Sequence, residues 1–218
     1  MKIDNLFSPP NVTQRRKKIL KLKNTSYSNP TNDFLSYGYD YFDNKEINSG
    51  YPFYKYDSRF KDSVQKIINY FNLTKGDTVA DFGCAKGYLL YEFFLLGFNV
   101  IGFDISKYAI DNGKVEIKDN LHKIDSELDV KNFEFDFMIS RNTLPHLNVN
   151  KINNLINISI DKCVYKPYYI LTTYSNEIYK NTYFNWDITQ ETIMNSNQWD
   201  NYFKVFYNDL YYSLDILE

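Results

Sequence analysis

The 218-residue chain is predicted to be an α/β protein with a mostly parallel sheet. From about residue 60 onward, segments of strand pattern alternate with segments of helix pattern, which is typical of strands joined by crossover helices. The clearest such unit is Thr78–Gly87, an apolar strand that ends in an acid and a glycine-rich turn. The length suits one domain with a full hydrophobic core.

The individual elements follow from apolar periodicity. Phe60–Asn72 carries apolar residues at i, i+3, i+4 and i+7, which predicts an amphipathic helix. Thr189 looks like the N-cap of a late helix. Asn208-Asp209 is a hairpin signal, so we expect the last strands to be antiparallel. Further helices are predicted at Tyr88–Phe98, Lys107–Val115 and Val149–Asp161, and seven strands at residues 78–81, Asn99–Phe103, Leu121–Ile124, Phe135–Ser140, Tyr168–Tyr174, Tyr202–Tyr207 and Leu210–Leu217.

Residues 1–58 differ from this pattern. A basic run, Arg15–Lys23, is followed by a segment dense in tyrosine and phenylalanine between Tyr37 and Tyr56. That segment is too aromatic for a disordered tail, so we predict a cap folded over one end of the sheet. The basic run suits either a solvated helix face or contact with a phosphorylated substrate. The predicted division is therefore a cap at 1–58 and a main domain at 59–218.

The turn after the first strand indicates a nucleoside-bearing cofactor. Glycines allow a tight turn and close approach of a ligand, and the following helix start carries positive potential. The second strand ends in Asp104, which can accept hydrogen bonds from ribose hydroxyls. The dinucleotide pattern G-x-G-x-x-G fails here, because Ala85 and Tyr88 stand at its second and third glycines. The P-loop pattern fails too, because Lys86 precedes Gly87.

An acid two residues before the first of three small residues resembles the first motif of the Rossmann-like S-adenosylmethionine-dependent methyltransferases, D/E-x-G-x-G-x-G. Asp81–Leu90 and Val100–Ile110 look like bacterial small-molecule methyltransferases, many of which act in surface-polysaccharide and sugar-modification pathways. Ala85 departs from the pattern. The resemblance implies a Rossmann-like, seven-stranded, mostly parallel sheet with a C-terminal antiparallel hairpin. It also implies S-adenosylmethionine as cofactor.

The resemblance also assigns roles to individual residues. Asp81 is expected beside the methionine part of the cofactor, Asp104 at the ribose and Ile105 against the adenine. Asp125 is a candidate for the adenine amino group, or alternatively a solvated loop acid. The remaining predicted cofactor contacts are Gly83, Cys84, Ala85, Gly87 and Ser140.

The fourth strand is followed by Ser140–Leu147, which lacks the D/N/S-P-P-Y/F signature of exocyclic-amine methylation and the nucleophilic cysteine of cytosine carbon methylation. The His146-Leu147 pair resembles the small-molecule branch. His146 is the candidate general base because an imidazole titrates near neutral pH; a structural histidine is the alternative. The expected acceptor is a small molecule, through a hydroxyl of a sugar or nucleotide-linked glycan precursor.

Composition narrows the function classes. The net charge of −2 and the pI of about 5.8 give no global attraction to nucleic acid. No apolar run approaches the ~20 residues of a membrane span, and the N-terminus lacks a signal-peptide core, so we expect a cytoplasmic protein. No Cys/His cluster or acid pair has metal-binding spacing. Two alternatives stay open: methylation of RNA or protein, and a non-catalytic S-adenosylmethionine-binding subunit.

Overall fold

The computed structural model describes residues 1–7, 29–47, 49–51 and 53–217. Its sheet has six parallel strands in the order β3-β2-β1-β4-β5-β6. The basic run Arg15–Lys23 lies outside the described residues. The strands are β1 (Thr78–Phe82), β2 (Asn99–Asp104), β3 (Leu121–Lys123), β4 (Phe137–Arg141), β5 (Tyr168–Tyr174) and β6 (Tyr211–Leu217).

Helices cover both faces of this sheet, because neighbouring strand residues such as Val79 and Ala80 point to opposite faces. α3 and α4 pack on one face, and α6 and α8 pack on the other. The described helices are α1 (Asn32–Leu35), α2 (Tyr39–Phe42), α3 (Lys61–Phe71), α4 (Tyr88–Leu95), α5 (Lys107–Asp111), α6 (Val149–Lys162), α7 (Glu177–Trp186) and α8 (Ser196–Phe206), with 3₁₀ turns at Val115–Asn120, Glu127–Asn132 and Leu144–His146.

The prediction of seven strands with a C-terminal antiparallel hairpin is wrong. The segment expected to be the sixth strand, Tyr202–Tyr207, lies almost entirely in α8. Trp199, Tyr202 and Phe203 are buried at helical spacing, and Asn195 begins the helix with a capping box. The last strand, β6, then returns parallel to β5 along its whole length. The sheet therefore has six strands, all of them parallel.

The segment between β5 and α8 also differs from expectation. Glu177–Trp186 forms a helix that the sequence did not suggest. Thr189 is not an N-cap, because α8 begins only after Asn195. Thr189 lies instead in the turn after α7, next to Asp187.

The cap consists of α1, α2 and the aromatic loop after them. Its small core, which includes Phe34 and Phe42, packs against Ala109 of α5. The cap backbone is held by a hydrogen bond in which Ser106 Oγ donates to the Tyr37 carbonyl at 2.6 Å. These contacts place the cap over the carboxyl ends of β1 and β2.

The first residues of the chain lie elsewhere. The N–H of Ile3 donates to the Tyr212 carbonyl at 2.9 Å, and the N–H of Tyr212 donates to the Met1 carbonyl at 3.0 Å. This part of the predicted 1–58 extension therefore lies along the free edge of β6. Among the described residues, no helix is long and apolar enough to cross a membrane.

Candidate active site

A cavity lies at the carboxyl ends of β1, β2 and β4, beneath the cap. Its volume is about 120 Å³. In a parallel sheet this edge is where cofactors bind. Cap, turn and strand ends all contribute to the wall, which includes Tyr37, Tyr41, Phe42, Tyr51, Tyr54, Phe60, Asp81, Gly83, Cys84, Ala85, Asp104, Ile105, Arg141, Asn142, Thr143 and His146.

The turn after β1 requires glycine at its first position. Gly83 has φ +81°, and a Cβ there would come within 2.0 Å of Thr143 Oγ1. Its N–H and that of Cys84 both donate to the Phe103 carbonyl, which ties the turn to β2. Gly87 also has positive φ and caps α4. The small residues Gly83, Cys84 and Ala85 thus line the cavity, whereas Gly87 begins the helix behind it.

Asp104 holds the middle of the turn as well as facing the cavity. Its Oδ2 accepts from the Ala85 N–H at 2.8 Å, and its Oδ1 accepts from the Ser106 N–H at 2.8 Å. Ala85 itself has φ +50°, so this hydrogen bond supports a left-handed residue. Burial raises the pKa of Asp104, and the two N–H donors act against that shift. Each carboxylate oxygen keeps a second lone pair for a ligand hydroxyl.

Asp81 is the residue before the last one of β1, its carboxyl group is buried, and its Oδ1 has no hydrogen-bond partner among the described residues. Burial is the main reason that the pKa of Asp81 is raised to about 8, and the nearby Asp104 carboxyl group adds to the shift. An unpaired buried carboxyl oxygen is costly, so it marks a position where a ligand donor would be stabilising.

The other predicted cofactor residues differ in where their side chains lie relative to the cavity. Ile105 is exposed at the edge of the cavity. Asp125 lies in an adjoining groove that Ile105 also lines; its side chain is 89% exposed and pairs with Lys123. The Ser140 hydroxyl donates its hydrogen bond to the Phe82 carbonyl at 2.9 Å, so its proton is used within the sheet. Contacts of Asp125 and Ser140 with a cofactor stay predictions.

Two cavity residues at the end of β4 were not predicted from the sequence: Arg141, the last residue of the strand, and Asn142, the next residue. Asn142 has φ +59°; its Oδ1 accepts from the Thr172 N–H at 2.7 Å, while its buried Nδ2 makes no hydrogen bond within the described residues. The guanidinium of Arg141 lies over the Phe7 and Phe60 rings, 4.9 and 5.6 Å from their centroids. Asparagine adopts the left-handed conformation more readily than most residues, so an asparagine directly after a strand can indicate a special backbone position. The sequence alone does not show that this asparagine adopts that conformation.

His146 follows the fourth strand, as predicted, and lines the cavity. Its Nδ1 lies 3.0 Å from Thr189 Oγ1 and 3.4 Å from the Tyr37 hydroxyl, and its Nε2 lies 3.6 Å from Asp187 Oδ2. Burial raises the pKa of Tyr37, so this phenol stays protonated. Asp187 is 41 positions away in sequence, in a loop, which is why no local pattern pointed to it.

The parallel sheet, the glycine turn and the acid after the second strand define a Rossmann-like domain for a nucleoside-bearing cofactor. Comparison with known families makes this specific. The model of a family described as a methyltransferase domain matches residues 54–184. The chain belongs to this family, and its cofactor is S-adenosylmethionine.

One solved structure supports the same fold. A SAM-dependent methyltransferase from Archaeoglobus fulgidus aligns with a TM-score of 0.54 and 21% identity over 66% of each chain. A TehB-like methyltransferase from Corynebacterium glutamicum aligns with 18% identity and a TM-score of 0.39, over 44% of this chain and 54% of its own. The chain thus spans about two thirds of the length of the first of these structures and about half of the length of the second. Curated protein sequences give no match.

Proposed function

We propose that the protein transfers a methyl group from S-adenosylmethionine to a hydroxyl of a small-molecule acceptor. The observation that carries this proposal is the cavity, which combines the cofactor turn, buried unpaired polar groups and a candidate base beneath one cap. The bound cofactor supplies an electrophilic methyl on its sulfonium. The residues of the chain bind it, orient the acceptor and take up the hydroxyl proton.

The unpaired groups suit an amino-acid moiety of the cofactor. Asp81 Oδ1 is an acceptor for an ammonium group, and Asn142 Nδ2 is a donor for a carboxylate. Both are buried at the ends of adjacent strands, β1 and β4. Asp104 would hold the ribose hydroxyls and Ile105 would lie against the adenine. This set leaves the cap side of the cavity for the acceptor.

The acceptor side is lined by aromatic rings, including Tyr51 and Tyr54 of the cap, with the Arg141 guanidinium nearby. A roof over the cavity favours a small acceptor over an RNA or a protein, because a macromolecule needs an open approach. Aromatic faces beside a few polar groups suit a sugar ring or a nucleotide-linked sugar. We therefore propose a glycan precursor as the acceptor class.

The chain's part in the reaction is alignment and proton removal. The acceptor oxygen must lie about 3 Å from the methyl carbon and opposite the sulfur. His146 lines the same cavity and has a carboxylate near one ring nitrogen, so it suits the role of general base. The presence of this oriented base favours an enzyme over a non-catalytic binding subunit.

Replacing Asp104 by alanine should weaken the binding of S-adenosylhomocysteine roughly 100-fold. Two ribose hydrogen bonds to a charged acceptor are together worth about 3 kcal/mol. The substitution also removes the support of the Ala85 N–H, which lowers affinity in the same direction. Titration calorimetry on wild type and variant measures the change.

Asp111→Ala is the matched control, because Asp111 is an exposed acid of α5 that pairs with Lys107 at the protein surface. Its affinity should equal that of wild type. A folded Asp104→Ala protein with an unchanged dissociation constant would place the ribose elsewhere. Failure of the wild type to bind either S-adenosylmethionine or S-adenosylhomocysteine would contradict the proposal as a whole.

Binding of S-adenosylhomocysteine at about pH 7 should release close to one proton. The raised pKa keeps Asp81 protonated in the free protein at that pH, whereas pairing with the ligand ammonium requires the carboxylate. Affinity should therefore rise as the pH increases from about 6 towards 8. Calorimetry in buffers of different ionisation enthalpy counts the proton directly.

Asp81→Asn provides the comparison, since an amide has no proton to release. The same pKa shift also affects folding, because the folded state binds this proton more tightly than the unfolded state. The resulting contribution to stability is complete below about pH 4 and is lost progressively as the pH rises to about 8. Zero proton release by the wild type at pH 7 would show that Asp81 does not meet the ammonium.

A further inference from the structure

A buried carboxylate lies behind the candidate base. Asp187 is fully buried, and three donors point at it. The Tyr41 hydroxyl donates to Oδ2 at 2.5 Å, the Thr189 hydroxyl to Oδ1 at 2.6 Å and the Thr189 N–H to Oδ1 at 3.2 Å. Burial raises the pKa of Tyr41, so its phenol keeps the proton that it donates. Three hydrogen bonds therefore fix the orientation of the Asp187 carboxyl group.

The Thr189 hydroxyl has only one proton, and the short contact with the carboxylate uses it. Thr189 Oγ1 can therefore only accept at its second contact, which is His146 Nδ1 at 3.0 Å. It follows that Nδ1 carries the imidazole proton. The lone pair is then on Nε2, which lies 3.6 Å from Asp187 Oδ2, too far for a hydrogen bond that would hold the proton on Nε2 instead.

We propose that Asp187 and Thr189 are positioning residues that hold His146 as the Nδ1–H tautomer, with Nε2 as the basic nitrogen. This rests on the proposed function only in calling Nε2 the base; the tautomer itself follows from the hydrogen bonds. When Nε2 takes the acceptor's proton, the imidazolium lies beside the Asp187 carboxylate, which stabilises it. In this step the acceptor's O–H bond breaks, an Nε2–H bond forms, and the electron pair of the O–H bond stays on the acceptor oxygen.

The cap takes part in this arrangement. Tyr41 lies on α2 and donates to Asp187 Oδ2, the oxygen that lies 3.6 Å from Nε2. Tyr37, which precedes α2, is the competing partner, since its hydroxyl lies 3.4 Å from Nδ1 and could donate to an unprotonated Nδ1. The distance favours Thr189, but the two partners require opposite tautomers, so they can be distinguished by experiment.

The test is nitrogen NMR of the protein labelled with ¹⁵N-histidine, at a pH well above the ordinary imidazole pKa of about 6.5. The chain has only two histidines, so a His122→Gln sample assigns both. The expected spectrum shows His146 with a protonated Nδ1 and an unprotonated Nε2. A spectrum with the proton on Nε2 overturns the proposal.

Thr189→Val and Thr189→Ser form a matched pair, because valine keeps the shape but removes the oxygen, whereas serine keeps it. The fixed tautomer should be lost in the valine variant and kept in the serine variant. An unchanged His146 spectrum in the valine variant overturns the role of Thr189. His122, on β3, serves as an internal reference in the wild type and in both Thr189 variants.

These readouts need no acceptor, so they separate the inference from the proposed function. Binding of S-adenosylhomocysteine by both Thr189 variants shows that the fold and the cofactor site are intact. A protein that shows the Nδ1–H tautomer but transfers no methyl group would contradict the function and leave the inference standing. An active enzyme with the proton on Nε2 would do the reverse.

Discussion

Replacing His146 by alanine is expected to cut turnover at least about 100-fold and to leave cofactor affinity nearly unchanged. The imidazole lines the cavity beside the proposed acceptor site and is held by Thr189 and Asp187. Removing it takes away the proton acceptor, whereas the turn and Asp104 remain. Transfer of labelled methyl from S-adenosylmethionine to a panel of nucleotide sugars and sugar phosphates measures the loss.

His122→Ala is the control for this experiment. His122 packs against Phe133, with ring centroids 4.8 Å apart, and is not part of the cavity wall. Its removal should leave turnover within about twofold of wild type once the protein is folded. Wild-type turnover in His146→Ala would show that proximity alone drives the transfer. His146 would then be a packing residue.

Replacing Asp43 by alanine is expected to lower the free energy of unfolding by about 3 kcal/mol or more. Lys86, in the cofactor turn, is only 5% exposed, and its Nζ lies 2.6 Å from Asp43 Oδ2 in the cap. The Tyr108 hydroxyl donates to the same oxygen at 2.6 Å. Without the carboxylate, the buried ammonium has no counter-charge at this contact. Urea denaturation of wild type and variant gives the difference.

Two further variants test the cause. Lys204→Ala removes an exposed ion pair with Asp200 and should cost less than about 1 kcal/mol. In an Asp43→Ala protein, a second change, Lys86→Met, should recover part of the loss, because a methionine there has no charge to desolvate. If the double variant is less stable than Asp43→Ala, the buried charge is not the source of the cost.

The part of the fold that the sequence predicted best is β1, the turn, α4 and β2. The predicted second strand, Asn99–Phe103, lies within one residue of the observed one. Tyr168–Tyr174 agrees in full. These segments are short apolar runs bounded by glycine, acids and polar residues, so the signal for each is contained in its own residues.

The same reasoning went wrong at Tyr202–Tyr207. That stretch is so rich in large apolar side chains that it satisfies both a strand and a helix pattern. Burial of Trp199 three residues earlier and the cap at Asn195 make it a helix. Whether this stretch forms a strand or a helix depends on what packs against it. Its partner is the face of the sheet that α6 also covers, and the residues of that face are distant in sequence.

The sequence by itself determined the kind of cofactor, namely one that carries a nucleoside. The turn from Asp81 to Gly87 and the acid Asp104 are local features, so their residue types are enough to indicate this chemistry. The surroundings of the base were decided only by the tertiary structure. His146, Asp187 and Tyr41 meet across 41 and 146 positions of chain, through contacts among the strand end, a loop and the cap. Which side chains contact each other depends on their distance in space. A periodic sequence pattern gives information only about residues that are neighbours along the chain, so it could not predict these contacts.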